Sequence, residues 1–209
     1  KGKIGESGVR YSVIRSLRAV VEADVVLHII DLTEGVTEQD TKIIGYAHDQ
    51  GKALILAGNK WDLIEKETGT FEQTVNEIRT KVAFATYAPI TLISAVTKQR
   101  VLKLLEMIQE VDAEARKLVP TSRVNEIIRD AIRMQEPPSD KGVRLRIYYG
   151  LQTGTQPPRF TLFVNDPNLM HFSYERYLEN RFREAFGFAG SRVLLSYKAR
   201  TDTEAYDKR

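Results

Sequence analysis

Apolar positions along the chain follow two different periods. Over residues 11–22, Ile14, Leu17, Val20 and Val21 recur at helical spacing with Arg15 and Arg18 on the other side, which predicts an amphipathic helix lying on a sheet. Residues 25–30, VVLHII, are an unbroken apolar run closed by Asp31; unbroken rather than alternating hydrophobicity predicts a parallel strand buried on both faces. His28 within that run is expected to find one backbone partner and stay neutral. Thr37 with Asp40 three residues on reads as a capping-box variant, and Gly51 as the stop of the helix it opens. Residues 53–57 form a second apolar strand that empties into the polar loop 59–62, and residues 71–84 carry Val75, Ile78 and Val82 at helical spacing. A short strand follows in 90–96, ITLISAV, and then a long helix whose stripe is Val101, Leu104, Leu105, Ile108 and Val111. Alternating strands and helices with crossovers of this length predict a doubly wound α/β sheet.

The pattern changes at residues 118–121, LVPT, where a proline separates two helical segments and Thr121 or Ser122 offers an N-cap. Val124, Ile127, Ile128, Ala131 and Ile132 give the next helix its buried stripe, and Pro137-Pro138 ends it. Residues 143–151, VRLRIYYGL, alternate as a half-buried strand does, with residues 159–164 as the antiparallel neighbour across a long loop over 152–158. A helix over 172–186, with Tyr174, Tyr177, Leu178 and Phe182 on one side, and a last strand over 192–197 complete a small α+β layer. Tyr148, Tyr149 and Phe160 read as core residues. The expected domains are therefore 1–118 and 119–209.

Composition narrows the class. The chain has 209 residues, 42% hydrophobic and 28% charged, which describes a globular protein and excludes disordered and fibrous classes. No apolar run approaches the roughly 20 residues of a bilayer span, so no membrane is expected and the cytoplasm is the expected location. With no cysteine there is no disulfide and no thiolate metal site. Residues 1–119 carry 16 cations against 17 anions, and residues 120–209 carry 15 against 11. The basic excess in the second half points toward an acidic partner such as RNA, although a small imbalance is also what a solvated surface looks like.

The candidate chemistry lies in the loop Asn59-Lys60-Trp61-Asp62. A polar loop at the carboxyl end of a buried strand is where open α/β sheets present side chains to ligands. The residue types suit guanine, whose N1–H and N2 amino group are adjacent donors that one carboxylate, Asp62, can accept together. Lys60 can lay its aliphatic stem over a base, and the Asn59 amide can tie neighbouring loops together and reach the base edge. Ser94-Ala95, at the end of the next strand, offers a backbone N–H to the guanine O6. The competing reading of an N-K-x-D tetrapeptide is a surface turn.

Strand, N-K-x-D, helix, strand and S-A, in that order, resemble a small GTPase of the translational type. In particular they resemble the second G domain of the EngA (Der) family of bacterial ribosome-assembly GTPases. KGKIGES at 1–7, YSVIRSLRAV at 11–20, ADVVLHIID at 23–31 and EGVTEQD at 34–40 support the same likeness. HFSYERYLENRFREAFGF at 171–188 and the Pro-Pro pairs at 137 and 157 resemble that family's KH-like C-terminal domain. The resemblance implies a partial P-loop GTPase-type doubly wound sheet followed by a small α+β KH-like domain. It further implies GTP/GDP as ligand, Mg²⁺ in the intact protein through residues absent here, and the large ribosomal subunit or its precursor and ribosomal RNA as partners. A preceding G domain in the same protein is implied as well. The opening segment would then be a mobile loop near the phosphates.

Arg144, Arg146 and Arg159 are candidates for RNA or interdomain contacts. A KH domain grips RNA with a basic G-x-x-G loop between two helices. Here Gly187 and Gly190 frame a G-x-x-G that joins a helix to a strand without a basic residue, which reads as a helix stop. Nor does the sequence contain G-x-x-x-x-G-K-[ST] or D-x-x-G, so catalytic residues are not identified, no metal ligand is assigned, and these residues alone are expected not to hydrolyse GTP. The alternative is a ribosome- or RNA-binding interaction module without nucleotide hydrolysis. A nicotinamide-dependent oxidoreductase is disfavoured because no G-x-G-x-x-G follows a strand.

Overall fold

The computed structural model describes residues 15–140 and 142–200. The glycine-punctuated opening and the first part of the helix expected over 11–22, Ile14 included, lie outside the described residues. The chain divides into two compact units, Lys1–Ala115 with Ala189–Arg192, and Arg116–Phe188 with Val193–Arg209.

In the first unit, helix α1 covers 15–22 and is followed by strand β1, Val25–Asp31. Helix α2, Glu38–Asp49, opens with the expected capping box, because the Thr37 side chain accepts from the Asp40 N–H while the Asp40 carboxylate accepts from Thr37. Gly51, at φ 68°, turns the chain out of that helix into β2, Ala53–Asn59. Helix α3, Thr70–Lys81, is shorter than its apolar period suggests, because Val82 leaves helical geometry and the segment to Ala85 tightens into a 3-10 turn. Strand β3, Ile90–Leu92, and helix α4, Val101–Arg116, follow.

The three strands are parallel in the order β1-β2-β3. Strand β2 is central, and every residue from Ala53 to Gly58 is buried. Ile30, Leu54, Leu56 and Leu92 pack on one side with α1–α3, while Ile55, Ala57 and Ile93 pack on the other against Leu104 and Val111 of α4. Each of the buried Ile, Leu and Val side chains among them contributes about 1.5–3 kcal/mol, and Ala57 less.

Three expectations for this unit need correction. Strand β1 is not buried on both faces: Val26 and Ile30, on the face packed by the helices, are buried, but Ile29, on the opposite face, is 45% exposed. Leu105 likewise leaves the expected stripe and stands 53% exposed. His28 finds a carboxylate rather than a backbone group, with its Nε2 2.8 Å from Asp40 Oδ1.

In the second unit, helix α5, Thr121–Met134, starts on Pro120, whose carbonyl takes the N–H groups of Arg123 and Val124. No hydroxyl caps it. The expected long strand over 143–151 is broken. Ser139–Asp140 (β4) and Val143–Arg144 (β5) form a small hairpin, and β6 begins afresh at Ile147 and runs to Gly154. The break falls where Leu145 turns inward and Asn165 bonds the backbone of both Arg144 and Arg146.

Strand β7, Arg159–Val164, pairs antiparallel with β6, and β8, Leu194–Ala199, pairs parallel with β7. Helix α6, Phe172–Phe186, and α5 cover one face, where Ile128, Phe160, Leu162, Tyr174, Leu178 and Phe182 form the core. Phe160 is core as expected. Tyr149 instead stacks on Phe163 on the opposite face, at 4.4 Å and 11°, and Tyr148 is 44% exposed beside the Arg200 guanidinium, because a register shift between Ile147 and Tyr149 re-aims these residues.

Gly187 caps α6 as read from the sequence, but Gly190 has another task. At φ 75° it receives the Leu54 N–H and donates to the Tyr87 carbonyl, lying so close to Val111 that a Cβ would meet that side chain at 2.5 Å.

Candidate functional site

Parallel register brings the carboxyl ends of the three strands together. Asp31 of β1 lies beside Asn59 of β2, and Gly58 lies beside Leu92 of β3. The close approach is possible because Gly58 has no side chain: a Cβ there would meet Leu32 and Leu92 at 2.7 and 2.8 Å.

Past Asn59 the chain turns sharply. Lys60 adopts the left-handed conformation, φ 67° and ψ 30°, and residues Trp61–Leu63 form one 3-10 turn. A non-glycine residue held there costs about 1–2 kcal/mol and needs compensation from its surroundings. Trp61 supplies it. Its ring is buried and packs edge-on against Phe71, and its backbone N–H donates to the Ile93 carbonyl at 3.0 Å.

The bend after β3 is tied from both sides. Ser94 is fully buried, its N–H donates to the Gln99 carbonyl, and its Oγ accepts from the Thr97 N–H at 3.1 Å. The Ala95 N–H donates to Asn59 Oδ1 at 3.0 Å. Asn59, Ser94 and Ala95 are thus brought together, and the N–H expected to face a ligand carbonyl already has Asn59 as acceptor, so a ligand must share it.

Lys60 Nζ lies 2.5 Å from Asp31 Oδ2. Hydrogen bonds from Lys60, then from Thr33, hold the Asp31 carboxyl down at about 2, and the same contact raises the Lys60 ammonium above its ordinary value. Asp62 is half-buried and bonds to no described residue. A carboxylate partly stripped of water and given no donor is poised to accept one from a ligand. A separate concavity of about 820 Å³ beside α2, with Leu17, Ile43 and Tyr46 in its wall, includes none of these residues.

Both parts of the chain resemble known proteins. Residues 10–113 match the elongation factor Tu GTP-binding domain, and residues 118–198 match the KH-domain-like C-terminal region of EngA bacterial GTPase enzymes. GTPase Der of Alkaliphilus metalliredigens is 52% identical over 201 residues, covering 96% of this chain and 46% of its own length. The chain belongs to the EngA (Der) family. GTPase Der of Ruminiclostridium cellulolyticum is also 52% identical, over 200 residues that cover 96% of this chain and 45% of the relative. The chain therefore spans about half the length of the curated relatives it matches. Among solved structures, a tyrosine-to-alanine variant of Aquifex aeolicus Era bound to GDP.AlF4⁻ aligns at 22% identity over 92% of this chain and 71% of its own, with a TM-score of 0.41.

The EngA-type second unit does not gather its three arginines. Arg144 pairs with Glu136 at 3.1 Å, Arg146 precedes β6, and Arg159 lies opposite Gly154 at the far end of the β6–β7 pair. At roughly 3.3 Å per residue, that separates Arg146 from Arg159 by about 20 Å. The Mg²⁺ implied for the family finds no donor set here: among the described residues no three His, Cys, Asp or Glu side chains gather. Also among the described residues, no helix is long and apolar enough to cross a membrane.

Asp31 and Trp61 were missed by motif reading. Asp31 is visible in retrospect as the polar residue closing an apolar run in register with Asn59. Trp61 stands at the position an N-K-x-D motif leaves unspecified, so nothing in the motif marks it.

Proposed function

We propose that the complete protein is a guanine-nucleotide-binding GTPase acting in assembly of the large ribosomal subunit, in the cytoplasm, and that this chain supplies its base-recognition loop. The observation that carries the reading is the Asp62 carboxylate, bonded to no described residue, in the turn that follows the central strand and three positions past Asn59, whose side chain ties down the Ala95 N–H. Asp62 accepts the N1–H and N2 amino hydrogens of guanine, the Lys60 stem covers the base, and the Asn59 carboxamide and Ala95 N–H read its remaining edge. Adenine offers no such pair of donors and would leave the half-buried Asp62 without one beneath the base, which gives discrimination on the order of 10⁴. The name GTPase Der borne by the relatives supports the activity; phosphate binding, Mg²⁺ binding and a further G domain are part of the proposal for the complete protein.

The test is Asp62→Asn in the complete protein. Xanthine carries an acceptor where guanine carries the N2 donor, so the variant should prefer xanthosine diphosphate to GDP. Unchanged selectivity removes Asp62 from this role.

A second role, contact with ribosomal RNA, is supported by the charge of the second sheet. Strands β6–β8 carry two charged residues, Arg159 and Lys198, both cations on the face away from α5 and α6. Affinity for RNA should fall steeply between low and physiological salt if arginines and lysines neutralise phosphates, and a flat salt profile would argue for a protein partner.

A further inference from the structure

The Asp31–Lys60 pair sits at the surface, where an ion pair adds little to folding, so its value must be sought in what it positions. Three features make it a brace and not a chance encounter. Asp31 lies in register with Asn59, so its carboxylate stands one strand away from the backbone it holds. Its Oδ2 faces Lys60, while its Oδ1 accepts both the Thr33 N–H at 3.0 Å and the Thr33 hydroxyl at 2.7 Å, which fixes the carboxylate before Lys60 reaches it. Lys60 itself starts from a left-handed backbone, and its ammonium reaches Asp31 at the end of β1.

An unanchored lysine has four flexible side-chain torsions, and laying it against a flat ligand forfeits that freedom. A lysine whose ammonium is already held has given up the freedom in advance, and its methylene stem is left stretched as a surface.

We propose that Asp31 is a positioning residue for guanine-nucleotide recognition: it holds the Lys60 ammonium so that the Lys60 stem is laid out as a platform for the base before the ligand arrives. This rests on the guanine reading of the loop given above. Both partners are held in their charged forms, so the brace persists across the physiological pH range.

The test is a double-mutant cycle in the complete protein, reading the affinity and dissociation rate of a fluorescent GDP analogue alongside the melting temperature. Asp31→Asn keeps the shape and an acceptor for Thr33 but removes the charge. It should weaken GDP binding about tenfold, mainly through faster release, with little change in melting temperature. In a Lys60→Met background the same change should have no further effect, since Asp31 acts only through Lys60. A loss of under twofold in the parent, or an equal loss with and without Lys60, overturns the proposal. Should Asp31→Asn fail to fold, Thr33→Val, which loosens Asp31 and leaves both charges, decides by the same criterion. If the parent binds no GDP, or Asp62→Asn does not turn toward xanthosine diphosphate, the guanine reading falls and this proposal with it. If both of those hold and the Asp31 cycle is silent, the platform alone is wrong.

Discussion

The carboxamide oxygen of Asn59 accepts the backbone N–H of Ala95 at 3.0 Å, joining residues 36 positions apart. Two loops that follow different strands are thereby made one surface. Removing the carboxamide with Asn59→Ala leaves the Ala95 N–H without its acceptor and lets the bend drift, a cost of about 1–3 kcal/mol. GDP affinity of the complete protein, measured by isothermal titration, should fall tenfold or more; an unchanged value would mean that the tie is dispensable.

Gly190→Ala tests a different constraint. The substitution forces a Cβ into a left-handed backbone and onto Val111 at 2.5 Å, neither of which can be relieved alone. Together these should destabilise the first unit by about 2–4 kcal/mol, read as a lower urea midpoint. An alanine at Gly69, where no atom lies within 4 Å, meets the backbone penalty without the clash and should cost less.

In the second unit the Asn125 side chain clasps a strand. It donates to the Gly150 carbonyl and accepts the Gly150 N–H, both at 2.9 Å, where Gly150 is buried and too close to Ile128 and Leu162 to carry a Cβ. Asn125→Ala strands both backbone groups and should cost about 2–3 kcal/mol in denaturant unfolding. Arg123→Ala removes only an exposed ion pair with Glu126 and should change stability by less than about 1 kcal/mol.

His48 predicts a pH dependence. Burial, and then the nearby Arg192, lower its pKa, against an opposing pull from Asp49. The unfolded chain, with its ordinary value near 6.5, then binds more protons than the folded chain between that value and the lowered one. Stability should be full above about pH 6.5 and decline as pH falls through the window below it. His48→Gln, which can still reach the Tyr87 hydroxyl that His48 Nδ1 meets at 3.1 Å, should flatten that decline in melting temperature.

How far the fold could be read in advance depended on how local the cause was. The capping box at Thr37 and Asp40 and the strand entering Asn59 are written in neighbouring residues, and both are where the pattern puts them. Ile29 and Leu105 were misjudged because apolarity alone does not say which face finds a partner. The break before β6 depends on Asn165, some twenty residues away, and no periodicity in 143–151 announces it. In the site, the residue types of the loop were legible, while the Asp31–Lys60 brace and the Ala95 tie arise from strand register, which exists only once the sheet has formed.

Trp61 is the one tryptophan in the sequence, and it is buried between Lys60 and Asp62. Its fluorescence is therefore a built-in optical probe of the first unit that the second unit cannot contaminate. Selective excitation would follow unfolding of the parallel sheet, and any quenching or shift on adding a nucleotide would be recorded from within the loop itself, with no label attached.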